Sequence, residues 1–116
     1  MINIAVRENT NDMQRIAFTM KLYAGYADEY RRRHAALWPD LEKLLKGAGI
    51  EEYSIFLEEN SNTLFGYLRI ADPLQLDLLP ENEVMKHWWA FMKDIMETNP
   101  DNSPVSIPLN EVFYLP

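Results

Sequence analysis

Between Gln14 and Leu22 the chain alternates strictly, with Ile16, Phe18, Met20 and Leu22 on one face. A period of two marks a half-buried strand, because successive Cβ atoms point to opposite sides of the backbone. Such a strand constrains everything around it, since it needs partners along its edges and a layer over its apolar face. Two partners are visible downstream. Ile50–Glu58 and Thr63–Ile70 are rich in β-branched and aromatic residues and flank Glu59-Asn60-Ser61-Asn62, a composition that predicts a hairpin. Within the first of these strands Tyr53, Ile55 and Leu57 share one face, and Ser54 and Phe56 the other. A further strand is expected at Glu111-Val112-Phe113-Tyr114-Leu115.

The covering layer must come from the segments between the strands. Ala24-Gly25 bends the chain into a helix that runs to about His34, and Trp38-Pro39 interrupts it, because the residue before a proline is pushed out of the α region. Pro39 is well placed to open a second helix, Asp40–Lys46, with Leu41, Leu44 and Leu45 inward and a stop near Gly47 or Gly49. Asp72-Pro73 is an N-cap followed by proline and starts a short helix that Pro80 is expected to end. The last helix should run from Glu83 to about Glu97, with Val84, Trp88, Phe91 and Ile95 on one stripe and Met85, Trp89, Met92 and Met96 on the adjacent one. Trp88 and Trp89 point about 100° apart, so at most one can sit centrally in the core.

Strand, helix pair, strand, strand, helix, strand is the βαββαβ order of an α+β, ferredoxin-like sheet with helices on one face. The other face of the sheet needs a cover. A second copy of the chain, related by two-fold symmetry, is the economical one and gives a dimeric α/β-barrel type of assembly.

The 116 residues fit one domain, expected over 13–116. Residues 1–12 read as an N-terminal extension, a short apolar run from Ile2 to Val6 followed by a polar segment. Eleven basic against 18 acidic residues leave a net charge of −7, which disfavours nucleic-acid or anionic-membrane partners. The one basic cluster, Arg31-Arg32-Arg33, sits beside Asp28 and Glu29 and reads as a solvated helix face. There is no cysteine, which removes disulfides, thiol nucleophiles and thiolate metal sites. The two histidines, His34 and His87, lie far apart and outside any zinc-ligand spacing, so no metal is expected. No apolar run reaches the ~18 residues a membrane span needs, and the start lacks a signal-like segment; a soluble, cytoplasmic protein is the expectation.

No nucleophile elbow, phosphate loop or paired-carboxylate motif is present, so the chemistry rests on phenols and imidazole. On a helix, Tyr26, Tyr30 and His34 recur every four residues and stack on one face, each with an apolar body and a hydrogen-bonding tip. Imidazole suits proton transfer near neutral pH, phenols suit hydroxyl or alkoxide-like oxygens, and tryptophan faces offer contacts to the apolar side of a sugar ring. Together they suit an uncharged polyhydroxylated substrate. The structural alternative for each residue stands beside this: His34 as a helix-end histidine bonded to a carbonyl, Tyr53 as an ordinary strand aromatic, Trp38 as a core plug and His87 as a solvated side chain.

Tyr30-Arg31-Arg32-Arg33-His34, Leu37-Trp38-Pro39-Asp40-Leu41, Gly49 with Tyr53, Trp88-Trp89 with Met92, Asn99–Val105 and Glu111–Pro116 match a known pattern in order and spacing. From about Met13 to the end the chain resembles the L-rhamnose mutarotase family. The resemblance implies a cytoplasmic homodimer that interconverts the α and β anomers of L-rhamnose without a cofactor, an isomerase of carbohydrate metabolism. It implies His34 as proton donor and Tyr30, Tyr53, Trp88 and Trp89 as substrate-binding residues. Two departures stand out: residues 1–12 precede the usual start, and Ala35-Ala36 replaces a more polar, proline-bearing step after the histidine.

Anomer exchange requires the pyranose to open, with a proton reaching the ring oxygen while one leaves the C1 hydroxyl, then rotation about C1–C2 and closure on the other face. A positioned acid or base typically contributes ~10²- to 10⁴-fold. Tyr30, a carboxylate or a water are candidates for the base. The competing class is a non-catalytic or regulatory sugar-binding module on the same dimeric fold, and a third, by analogy of fold alone, is a cofactor-free or haem-type oxygenase.

Overall fold

Four strands, β1 (Gln14–Lys21), β2 (Ile50–Glu58), β3 (Thr63–Ile70) and β4 (Ile107–Leu109), form one antiparallel sheet in the order β2-β3-β1-β4 in the computed structural model, which describes residues 13–116. Three α-helices, α1 (Ala27–Ala35), α2 (Pro39–Gly47) and α3 (Glu83–Met92), and a 3₁₀ helix (Pro73–Glu81) complete the expected order. The topology is the ferredoxin-like one. The N-terminal extension lies outside the described residues.

β1 pairs with β3 along its whole length, from Gln14 opposite Ile70 to Lys21 opposite Thr63. The β2–β3 hairpin turns where expected: the Glu58 carboxylate accepts the N–H groups of Asn60 (3.0 Å) and Ser61 (2.9 Å), and Asn62 takes φ 57°, a left-handed conformation asparagine tolerates. Pro39 opens α2 directly after an extended Trp38. Gly49, at φ 94°, reverses the chain from α2 into β2.

Asp72 caps the 3₁₀ helix by accepting from Leu74 N–H (3.1 Å), and Asn82 caps α3 through Val84 N–H (2.8 Å). Pro80 lies inside the 3₁₀ helix rather than ending it. Met20, Leu41, Leu64, Trp88, Met92 and Ile95 anchor the core between the sheet and the helices. On the outer sheet face Phe56, Phe65 and Ile107 remain exposed, at 67%, 40% and 61%. No helix among the described residues is long and apolar enough to cross a membrane.

Two elements depart from expectation. The closing strand is Ile107–Leu109, not Glu111–Leu115. Its pairing with β1 stops at Leu109 opposite Ala17, and at the next step the side chains take over: Arg15 forms a two-point ion pair with Glu111 (2.8 and 3.0 Å) and lies 3.4 Å from the centre of the Tyr114 ring. Pro108, tolerable only on an edge strand, disguised the true element. Secondly, α3 ends at Met92 instead of continuing to Glu97. The backbone beyond it is claimed by the end of β1: Tyr23 N–H donates to Ile95 O (2.9 Å), Glu97 N–H to Lys21 O (3.0 Å), and Leu22 bridges Met96. Ile95 and Met96 still reach the core, but from a turn and a β-bridge rather than from the helix.

Candidate active site

A cavity of about 880 Å³ lies between the inner sheet face and the helices, within the range of small-molecule sites. The sheet contributes Phe18, Tyr53 and Ile55, α1 contributes Tyr30 and His34, α3 contributes Trp88 and Trp89, and the loop after α3 contributes Thr98, Asn102 and Ser106. All five residues singled out from the sequence as catalytic or substrate-binding therefore line one space.

Tyr30 and His34 are one helical turn apart on α1 and their rings stack, with centres 4.3 Å apart and planes at 26°. The His34 Nδ1 lies 3.0 Å from Tyr30 O. A carbonyl can only accept, so Nδ1 carries the hydrogen, and Nε2 has no hydrogen-bond partner among the described residues. Burial holds the His34 pKa below its ordinary value, opposed in part by that backbone bond. The imidazole is accordingly neutral at pH 7.

Burial also raises the Tyr30 phenol far above its usual range, with Tyr53 as the second cause. Tyr53 is pushed up to about 12 by the loss of solvation alone. It nevertheless retains 40% of its accessible surface, as a cavity-lining ring does: reachable by a small molecule, yet surrounded by protein. Both phenols stay protonated and act as neutral hydrogen-bond groups.

The tryptophans divide as adjacent helical positions must. Trp88 is in the core at 6% exposure, edge-on to His34 with ring centres 5.4 Å apart, while Trp89 is half-buried at the cavity wall. Trp38, expected as a plug, packs against Trp88 (5.0 Å) and Phe91 (5.5 Å) and so fixes the indole that fixes His34. His87 is exposed, as expected.

Arg33 departs from the solvated helix face predicted for its triplet. Its side chain is only 10% exposed. It donates to Phe91 O (2.7 Å), to both Asp94 carboxylate oxygens (2.9 and 3.2 Å) and to Glu29 (2.7 Å), and packs over the Phe91 ring. This ties α1 to the end of α3 and sets the distance between His34 and Trp88. Arg32 first and Arg33 second hold the Glu29 carboxyl down at about 2. Tyr26 is the other departure. It precedes the first helical residue with non-helical φ and ψ of −109° and 13°, stays 40% exposed, and Ala27 lines the cavity in its place. Thr98, Asn102 and Ser106 were not expected at the site: Asn99–Val105 stood out only as part of the matched family pattern, with no role for its side chains. Among the described residues no three His, Asp or Glu side chains group to hold a metal ion.

The model of the L-rhamnose mutarotase family matches residues 15–115. The L-rhamnose mutarotase of Formosa agariphila is 53% identical over 103 residues, which is 89% of this chain and 99% of the relative. That of Lachnoclostridium phytofermentans is 50% identical over the same span. The crystal structure of the Formosa agariphila L-rhamnose mutarotase superposes with a TM-score of 0.83 at 52% identity, covering 89% of this chain and 99% of that one. A Shewanella oneidensis protein shares the fold at a TM-score of 0.55 and 14% identity. With the aromatic cavity in place and the match running from β1 to the C-terminal segment, this chain belongs to the L-rhamnose mutarotase family.

Proposed function

We propose that this protein is an isomerase that interconverts the α and β anomers of L-rhamnose, with His34 moving the proton and Tyr30, Tyr53, Trp88 and Trp89 binding the sugar. The observation that carries the reading is the His34 geometry: Nδ1 committed to Tyr30 O and Nε2 free beside a cavity walled by phenols and indoles. His34 enters neutral. Nε2 takes the C1 hydroxyl proton as the C1–O5 bond breaks and C1 becomes an aldehyde carbon, and the same proton passes to O5. The two oxygens share C1, so one nitrogen reaches both. After rotation about C1–C2, O5 attacks the other face of the aldehyde, its proton returns to Nε2, and O1 is reprotonated. The phenols, neutral at any physiological pH, hold hydroxyls, and Trp89 presents its indole to the ring while Trp88 both borders the sugar and buttresses His34.

Anomer exchange measured by saturation-transfer NMR tests this. In His34→Ala exchange should fall by ~10²-fold or more with sugar affinity much less affected. Parental exchange in that variant would sink the proton-transfer role, and sugar binding without exchange in the parent would leave a binding module.

We further propose a cytoplasmic homodimer built through the outer sheet face, burying at least ~1,200 Å², with 13–116 as the single folded domain. Exposed Phe56, Phe65 and Ile107 support it. Sedimentation of the full chain at micromolar concentration tests the dimer, and a thermal melt of a form lacking residues 1–12 tests the domain boundary. A 13.6 kDa species alone would reject the dimer, and loss of cooperative folding in the shortened form would reject the domain boundary.

A further inference from the structure

The loop between α3 and β4 is tightly bonded to itself. The Asn99 carboxamide donates to Ser103 Oγ (3.0 Å) and Pro104 O (3.3 Å), and Ser103 donates through its N–H and its hydroxyl to the Asp101 carboxylate. Thr98 bridges Pro104, and Val105 N–H donates to Glu97 O (3.1 Å). Asn102 sits at the turn with φ 73°, a left-handed conformation that asparagine accepts and most residues resist. Its N–H is spent on Asn99 O (2.8 Å). Its carboxamide has no hydrogen-bond partner among the described residues, and Asn102 lines the cavity with Thr98 and Ser106.

The rest of the cavity is mostly apolar. The phenols, the imidazole and an indole N–H fall short of the donors and acceptors that a pyranose carries on four hydroxyls and a ring oxygen. A hydroxyl enclosed without a partner loses its bonds to water and gains nothing in return. A carboxamide offers an acceptor and two donors in one plane, which fits two adjacent hydroxyls better than a phenol does. We infer that Asn102 is a specificity-determining residue, its carboxamide hydrogen-bonding neighbouring hydroxyls of the sugar and its rigid loop fixing where they must lie. This rests on the cavity being the sugar site.

Asn102→Gly keeps the left-handed backbone and removes only the carboxamide. Asn62→Gly, at φ 57° in the β2–β3 turn and away from the cavity, is the matched control. KM for L-rhamnose should rise by ~10-fold in Asn102→Gly with kcat within about 3-fold and an unchanged melting temperature, and should not move in Asn62→Gly. Against monodeoxy analogues of the sugar, the variant should lose the parent's preference for the intact hydroxyls. Asn102→Asp, which keeps an acceptor but loses both donors, should also raise KM and serves if the glycine variant misfolds. Parental KM in both variants overturns the inference. A parent that neither binds nor exchanges L-rhamnose overturns the functional reading first, and this with it.

Discussion

Gly66 faces Phe18 across the β1–β3 ladder, and its missing side chain makes room for the Phe18 ring. A Cβ added there would lie 2.5 Å from Phe18 Cε2 and Cζ and 3.1 Å from Cε1. Carbon atoms rest at ~3.5–4.0 Å, so the ring must retreat by about 1 Å. It is the far end of a side chain, and the open direction is the cavity it lines, where the Tyr53 ring stands 6.3 Å away at 71°. Gly66 has no positive φ, so alanine fits the backbone. Overpacking costs roughly 1–3 kcal/mol, and alanine in a strand returns about 0.5–1, leaving a net loss of roughly 0.5–2 kcal/mol. Gly66→Ala should therefore lower the melting temperature by several degrees. Because the displaced ring presses on Tyr53 and narrows the site, KM should rise by roughly 5-fold, which corresponds to about 1 kcal/mol of binding. Thermal melts and NMR exchange kinetics read both effects, and Phe18→Leu added to Gly66→Ala should restore part of each. Unchanged melting and KM in Gly66→Ala, or losses that Phe18→Leu does not relieve, would refute the packing argument.

Three further outcomes are expected. Burial depresses the His34 pKa, so the unfolded chain binds that proton more readily; the group's stabilising contribution is complete above about pH 6.5 and is lost as pH falls below it. Melting temperatures at pH 7.5 and 5 should thus differ more for the parent than for His34→Gln, and kcat/KM should decline on the acid side because the neutral imidazole is the working form. Arg33→Gln should lower kcat by about tenfold with little change in KM, since the α1–α3 tie orients His34 rather than touching sugar; a KM effect alone would contradict this. Trp88→Phe should destabilise by roughly 1–2 kcal/mol and reduce kcat, whereas Trp89→Phe should raise KM with stability little changed. Equal, purely thermal effects in both would remove the pair from the site.

The alternation of Ile16 to Leu22, the Trp38-Pro39 break, the hairpin around Asn60 and the cap at Asp72 were legible in the sequence because each is set by neighbours within a few residues. Their order was enough for the ferredoxin-like topology, and the spacing of Tyr30 and His34 was enough to stack them. The ends of α3 and β4 were not legible. Met92 ends the helix because Lys21 and Tyr23, some seventy residues earlier, engage the backbone of Ile95 and Glu97; the last strand stops where Arg15 captures Glu111. Nor does local pattern show that Arg33, in a run of charged residues, turns inward to Phe91 and Asp94, that Tyr26 swings away from its helical register, or that the Asn99–Pro104 turn supplies a cavity wall. Local dihedral preference and side-chain period write the elements into the chain. The convergence of Tyr30, His34, Tyr53, Trp88 and Asn102 on one cavity depends on how the sheet and helices pack, which only contacts between distant segments decide.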